Sequence, residues 1–413
     1  MTMFTIIGMR GLLAVSIGVT LSFSLLPPAT AAPTVQPAPA VGTVSASGTA
    51  VAGSTQSLPL TPLTRAVGAA PGVPRRDVHP FSLLGVVWDD PAAHLDGAVQ
   101  VRTRPTGTDD WSDWQDLETH ADDHGADPGT PEHDSARPRG GTAPLWVGDS
   151  DGIELRVRPD MTGTRTLPTG LRAELIDPGT DETPAVGPPR ARARLGTPAA
   201  GTYVPELPRV LPHGAPRPRI VTRKGWGADE KLREKKFSYT KSVKAAFVHH
   251  TATGNRYRCS QVASVIRGIY RYHVKSMGWK DIGYNFLVDK CGSIYEGRAG
   301  GVTKPVLGAH TLGFNTNSVG IAVIGTYGAT RPSAAAVKAV ARITAWKLGI
   351  YGVNPRGTTY LKSAGGNLYR KGKNVRLNVI SGHRDGFATD CPGRQLYGKL
   401  GTARSSAARY QGR

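Results

Sequence analysis

The sequence predicts two folded domains of different class: an all-β, sandwich-like unit over 79–178, and an α/β unit over 220–402 with a central mixed β-sheet flanked by helices. Three observations predict it. In the first region short apolar or alternating runs recur between turn residues with no helical period, the pattern of small antiparallel sandwiches. In the second, strand-length apolar runs interleave with segments of helical period, as layered α/β domains require. Two compositionally biased stretches, 32–78 and 179–219, set these regions apart and read as linkers.

Taken in order, residues 1–31 read as an export signal. Arg10 precedes an apolar stretch, and Ala29-Thr30-Ala31 follows as a small-residue cleavage site. The stretch is about 16 residues, short of the ~20 that span a bilayer. The expectation is a secreted, extracellular or cell-wall-associated protein with no permanent membrane anchor. The 32–78 segment is rich in Ala, Pro, Thr, Ser and Val with few charges, a poor basis for a packed core. Strands are expected over 81–88, 98–104, 111–117, 143–147, 153–157 and 171–176. Trp111 and Trp114 are assigned to core or edge packing rather than sugar stacking. The acids between 109 and 134 lack the spacing of a calcium loop and are assigned to a solvated loop. The 179–219 stretch, dense in Pro and Arg, should be extended, leaving two folded units on a tether.

The second domain alternates its periods. A strand is expected over 245–250. Ser260 then reads as an N-cap ahead of Val262, Val265, Ile266, Ile269, Tyr270 and His273 at helical spacing. Runs over 284–289 and 293–296 flank Lys290-Cys291-Gly292 as a hairpin. A strand over 319–324, a helix over 333–348 and a strand over 375–380 follow, the last delivering Ser381-Gly382-His383. Residues 403–413 read as a tail.

The formal charge of +20 is unevenly spread. Residues 80–178 carry 8 Arg, no Lys and 19 acids, net −11, whereas 201–413 carry 36 bases and 9 acids, net +27. Such a split suggests domains with different partners. An exported basic domain meets anionic cell-wall polymers first, so nucleic acid is not an expected partner.

Of the three cysteines, Cys259 and Cys291 can pair in an oxidising compartment, which leaves Cys391 as the odd thiol. His249 and His383 each stand just past a predicted strand, and Cys391 lies eight residues after His383. Neighbouring strands would bring these three together. Two imidazoles and a thiolate suit a borderline-soft ion such as zinc, and three protein ligands leave a fourth position open for hydrolytic chemistry. Structural zinc sites are disfavoured because the sequence has no C-x-x-C pair. Copper is disfavoured because none of the five Met is near Cys391 in sequence.

The stretch from about 223 to 400 resembles the zinc-dependent N-acetylmuramoyl-L-alanine amidases, a family that includes phage lysozyme-type amidases and the peptidoglycan recognition proteins. The resemblance rests on Arg223-Lys224-Gly225-Trp226-Gly227-Ala228, Val248-His249-His250-Thr251-Ala252 and Gly278-Trp279-Lys280-Asp281-Ile282-Gly283-Tyr284-Asn285-Phe286. It continues through Tyr295-Glu296-Gly297-Arg298, Gly308-Ala309-His310-Thr311, Asn317-Ser318-Val319-Gly320-Ile321, and His383-Arg384-Asp385 to Cys391-Pro392-Gly393. It implies a secreted zinc hydrolase of peptidoglycan muramyl peptides, with Zn2+ held by His249, His383 and Cys391. It also implies that Tyr284 assists at the scissile carbonyl and that Thr389 supports the reaction. By analogy with the family cleft, His250, Arg298, His310 and Asn315 would bind the sugar or stem peptide. Members lacking the zinc cysteine bind without cutting, so the alternative is a non-catalytic recognition protein. Where many relatives have Gly-Trp or Asn-Phe after Glu-Gly-Arg, this chain has Ala299-Gly300-Gly301, so the resemblance implies no choice between diaminopimelate and lysine in the stem.

Overall fold

Side chains alternating between buried and exposed at period two build the N-terminal sheet. The computed structural model describes residues 52–64, 70–119, 124–135, 138–159, 167–180 and 214–413. Eight strands, β1 (Ser54–Pro59), β2 (Thr61–Pro62), β3 (Pro71–Trp88), β4 (Gly97–Pro105), β5 (Gln115–Leu117), β6 (Gly140–Gly141), β7 (Leu145–Pro159) and β8 (Arg172–Asp177), form one sheet. The path runs β1-β8-β3-β7-β4-β5, with β2 and β6 paired to β3, and every pairing is antiparallel. Leu84, Val86, Val99, Val101, Ile153, Leu155 and Val157 are buried in its core. Register shifts between Val73 and Arg76 and around Phe81 interrupt the β3–β7 ladder, as bulges in long strands do.

The all-β expectation holds, with local corrections. The two runs expected at 143–147 and 153–157 are one strand, β7, and the run at 111–117 is a strand only over Gln115–Leu117. Part of the expected 32–78 linker is sheet, because β1 pairs along β8 for six residues and β3 begins at Pro71. Edge pairing needs backbone N–H and C=O groups, which an Ala/Pro/Ser-rich segment still supplies. Trp111 and Trp114 lie under guanidinium groups, with Arg75 4.3 Å and Arg156 4.0 Å from their ring centroids. The expected export signal and residues 181–213 of the second linker lie outside the described residues.

The second domain is built on a mixed sheet of β9 (Ala245–His250), β10 (Phe286–Val288), β11 (Ile294–Glu296), β12 (Ser318–Val323) and β15 (Ile380–Gly382), in the order β11-β10-β12-β9-β15. Only β10–β11 is antiparallel. A separate ribbon pairs β13 (Thr358–Lys362) with β14 (Asn374–Asn378). The strand expected over 375–380 is therefore two pieces, with Val379 at the break. Helix α3 (Ala334–Gly349) and helix α5 (Leu400–Tyr410) pack with Val248, Ile321 and Val323, while α2 (Val262–Arg271) packs with Leu287 and Ala322. The five-residue α1 (Pro131–Ser135) belongs to the first domain, and α4 (Arg394–Tyr397) precedes α5. Ser333 caps α3, accepting a hydrogen bond from Ala336 N at 3.0 Å. Ser260 does not cap α2; it sits inside a 3-10 turn, Cys259–Gln261, that leads into it. The expected tail at 403–413 is largely α5, with Ala403, Ala407 and Ala408 buried. Cys259 and Cys291 form a disulfide across 32 residues of sequence, a closure worth about 2–4 kcal/mol.

The described residues of the two domains pack against each other within one compact unit, while most of the expected tether, 181–213, lies outside the described residues. Leu83, Val87, Trp146 and Ile176 of the first domain share a buried cluster with Val265, Ile269, Tyr272 and Met277 of the second. Tyr272 donates its hydroxyl proton to Thr142 O at 3.0 Å, Trp146 N donates to Thr253 O at 3.0 Å, and Ser276 Oγ donates to Glu174 at 3.0 Å. Opposite charges, expected to mark different partners, also meet across the contact, as in the Glu132–Arg298 pair.

Candidate metal centre

Strand alternation decides where the first ligand points. Ala246 and Val248 of β9 pack on the α3 side, so His249 lies on the opposite face, the one the N-terminal domain covers. Parallel pairing sets Gly382 beside Val248, and His383 follows directly, bringing its ring to 4.5 Å from that of His249 between centroids. Cys391 folds back over the same strand ends, its Sγ 3.8 Å from His249 Nδ1. The three residues expected as metal ligands thus converge, and all are buried.

A fourth joins them. Ligand atoms of His124, His249, His383 and Cys391 all lie within 4.8 Å of one another. His124 comes from the acidic loop of the first domain, with ring centroids 4.7 Å from His383 and 5.3 Å from His249. Three imidazoles and a thiol, with no carboxylate, are the donor chemistry zinc accepts. Burial, then the neighbouring His383, His310 and His124, hold His249 well below the ordinary histidine pKa, so its ring is neutral, the ligating form.

His249 is oriented from behind. Its Nε2 lies 3.3 Å from His310 Nδ1 and 3.4 Å from Thr311 Oγ1, leaving Nδ1 toward Cys391. His310, expected at the groove, is fully buried here beneath His249. Asn315 is likewise buried, and its carbonyl oxygen accepts from His310 N at 2.7 Å and Thr311 N at 3.1 Å, shaping that loop. His250 receives Tyr327 N on Nδ1 at 3.2 Å, and its Nε2 lies 3.7 Å from Glu118. Tyr284 points its hydroxyl at His124 Nε2, 3.2 Å away. Thr389 Oγ1 accepts from Cys391 N at 3.1 Å, fixing the turn that carries the thiol. Met277, remote from Cys391 in sequence, lines the small cavity beside the cluster, so sequence distance is a weak ground for excluding a thioether.

Arg298 is buried, and its guanidinium meets Glu132 of the first domain through two bonds of 2.6 and 2.9 Å. Burial pushes the Glu132 carboxyl up, but the charge and hydrogen bonds of Arg298 outweigh it and hold it below its usual value. Asp127 accepts from Gly313 N at 2.8 Å and from Asn315 Nδ2 at 2.7 Å, while burial pushes its pKa up to about 6. The acids expected to be a solvated loop therefore include two that are buried against the second domain. Sequence reasoning missed His124, whose signal was its H-x-x-x-H spacing from His120, set amid acids in a region without periodicity.

Residues 239–394 match the N-acetylmuramoyl-L-alanine amidase family, and residues 39–190 match the family described as Rv3811 N-terminal galactose-binding domain-like. Peptidoglycan-recognition protein SC2 of Drosophila simulans is 31% identical over 186 residues, spanning 44% of this chain and 85% of that protein. The chain belongs to the family of N-acetylmuramoyl-L-alanine amidases and peptidoglycan recognition proteins. The human N-acetylmuramoyl-L-alanine amidase is 34% identical over 161 residues, 38% of this chain and 23% of its own length. Among solved structures, wild-type Drosophila PGRP-LB is 25% identical, covering 45% of this chain and 93% of its own, with a TM-score of 0.36. In this family member several shared motifs are structural. Asn285 Oδ1 accepts from Gly320 N at 2.8 Å, tying β10 to β12, and Trp226 Nε1 donates to Glu296 O at 2.7 Å.

Proposed function

We propose that the protein is a secreted, zinc-dependent N-acetylmuramoyl-L-alanine amidase that cuts peptidoglycan between the lactyl group of N-acetylmuramic acid and L-alanine. The observation that carries this reading is the convergence of His249, His383 and Cys391 at the strand ends beside the Tyr284 hydroxyl. Zinc held by His249, His383 and Cys391 would supply Lewis acidity and would lower the pKa of a water nucleophile toward neutrality. The chain's own residues do the rest. His310 and Thr311 fix the His249 ring, Thr389 fixes the Cys391 turn, and Tyr284 donates a hydrogen bond to the oxygen on which charge develops. His250 and Arg298 would meet the muramyl peptide, while His310 and Asn315 act through the loop they brace.

A non-catalytic peptidoglycan-binding protein is the second reading, and the presence of Cys391 favours cutting. Mass spectrometry of peptidoglycan incubated to completion with the protein tests it. Stem peptides beginning at L-alanine, lost on chelation and restored by zinc, are expected. Cys391→Ser should abolish their release while retaining wall binding and a native circular dichroism spectrum. Turnover by Cys391→Ser equal to the parent would remove the metal assignment.

A further inference from the structure

We propose that His124 is a fourth protein ligand of the metal and that residues 124–132 of the N-terminal domain hold the cleft closed, so that the full chain carries a latent centre. The proposal rests on the amidase reading above. Three contacts support it, all from one short stretch of the first domain, and they fall on Tyr284 at the cluster, on Arg298, and on the loop that braces His249. His124 completes the ligand cluster and engages the Tyr284 hydroxyl at 3.2 Å. Glu132 takes both outer nitrogens of Arg298. Asp127 takes the Asn315 side-chain amide and the Gly313 backbone N–H.

The chemistry of closure follows from coordination. Four protein ligands make a closed zinc site, whereas hydrolysis needs a position for water or substrate. Space leads to the same conclusion. The cavity beside the cluster, lined in part by His124, His250, Tyr284 and Cys391, is about 30 Å³, whereas pockets for small organic ligands run to roughly 300–1,000 Å³. A muramyl peptide therefore reaches the metal only after the 124–132 stretch withdraws. Charge favours the closed state, since the covering domain is net −11 over 80–178 and the covered one net +27 over 201–413. Glu132 stands on Arg298 as a substrate carboxylate would, so an anionic wall fragment competes for the same guanidinium.

The test uses the full chain loaded with cobalt(II), with azide as a small exogenous ligand, in the native protein, His124→Ala and Glu132→Gln. In the native protein azide should leave the ligand-field bands unchanged. In His124→Ala it should shift them, and the metal should dissociate to a chelator roughly tenfold faster or more. Glu132→Gln, which keeps all four ligands, should become azide-sensitive through loosening of the stretch. Peptidoglycan cleavage should rise about tenfold or more in His124→Ala if the open form is a tenth or less of the native population. Equal azide response in native and His124→Ala proteins, or slower cleavage in His124→Ala, would overturn the proposal while leaving the amidase reading intact. Absence of a Cys391-dependent thiolate-to-cobalt charge-transfer band would overturn both.

Discussion

Tyr284 is 4% exposed, with its ring centroid 5.5 Å from His249 and its hydroxyl on His124. A phenol so placed is held for one hydrogen bond, which Phe cannot make. Tyr284→Phe is therefore expected to slow cleavage by roughly 10²- to 10³-fold with unchanged zinc content, in both the native and His124→Ala backgrounds. Unchanged kinetics in the His124→Ala background would remove the role. The clustered candidates His249, His383 and Cys391 were legible in sequence because strand ends and an orphan thiol leave few alternatives. For His310 the local pattern does not separate a histidine beneath His249 from one on a groove wall. Only the 3.3 Å approach of its Nδ1 to His249 separates them.

Among the elements, α3 carries a second buried ionisable group. Lys347 is 2% exposed, donates to Val302 O and Lys304 O at 2.7 Å each, and burial lowers its pKa to about 7. A depressed amine binds fewer protons folded than unfolded between about pH 7 and its ordinary 10.5, so stability should rise with pH across that window. In Lys347→Met that term is absent, and the stability advantage of the native protein should grow from pH 7 toward pH 10.5. Urea unfolding of both proteins along that range checks it; a difference independent of pH would show an undepressed amine. The helical period and Ser333 cap made α3 readable in sequence, whereas the break at Val379 was not. Residues 375–380 keep an unbroken alternation of apolar and polar side chains up to Val379 while their backbone leaves one sheet for another.

Across the whole molecule, the buried cluster shared by the two domains couples their stability. Leu83, fully buried, belongs to β3 yet lies against α2. Leu83→Ala should cost about 2–5 kcal/mol and lower a single calorimetric transition for both domains. Two resolved transitions, with only the first shifted, would show that the domains fold independently. The same docking places the acidic 124–132 stretch over the metal centre, and so turns a charge asymmetry along the sequence into a contact.

What the sequence alone determined is local and periodic. It specified the two domain classes, most strands and helices, the Cys259–Cys291 pair and three converging candidate ligands, because burial period, turn residues and ligand chemistry are written in neighbouring positions. The tertiary structure decided which surfaces meet. His124 reaches His249 across 125 positions of sequence and Glu132 reaches Arg298 across 166, because apolar faces with no local signature of their partner bury each other and bring the charges together.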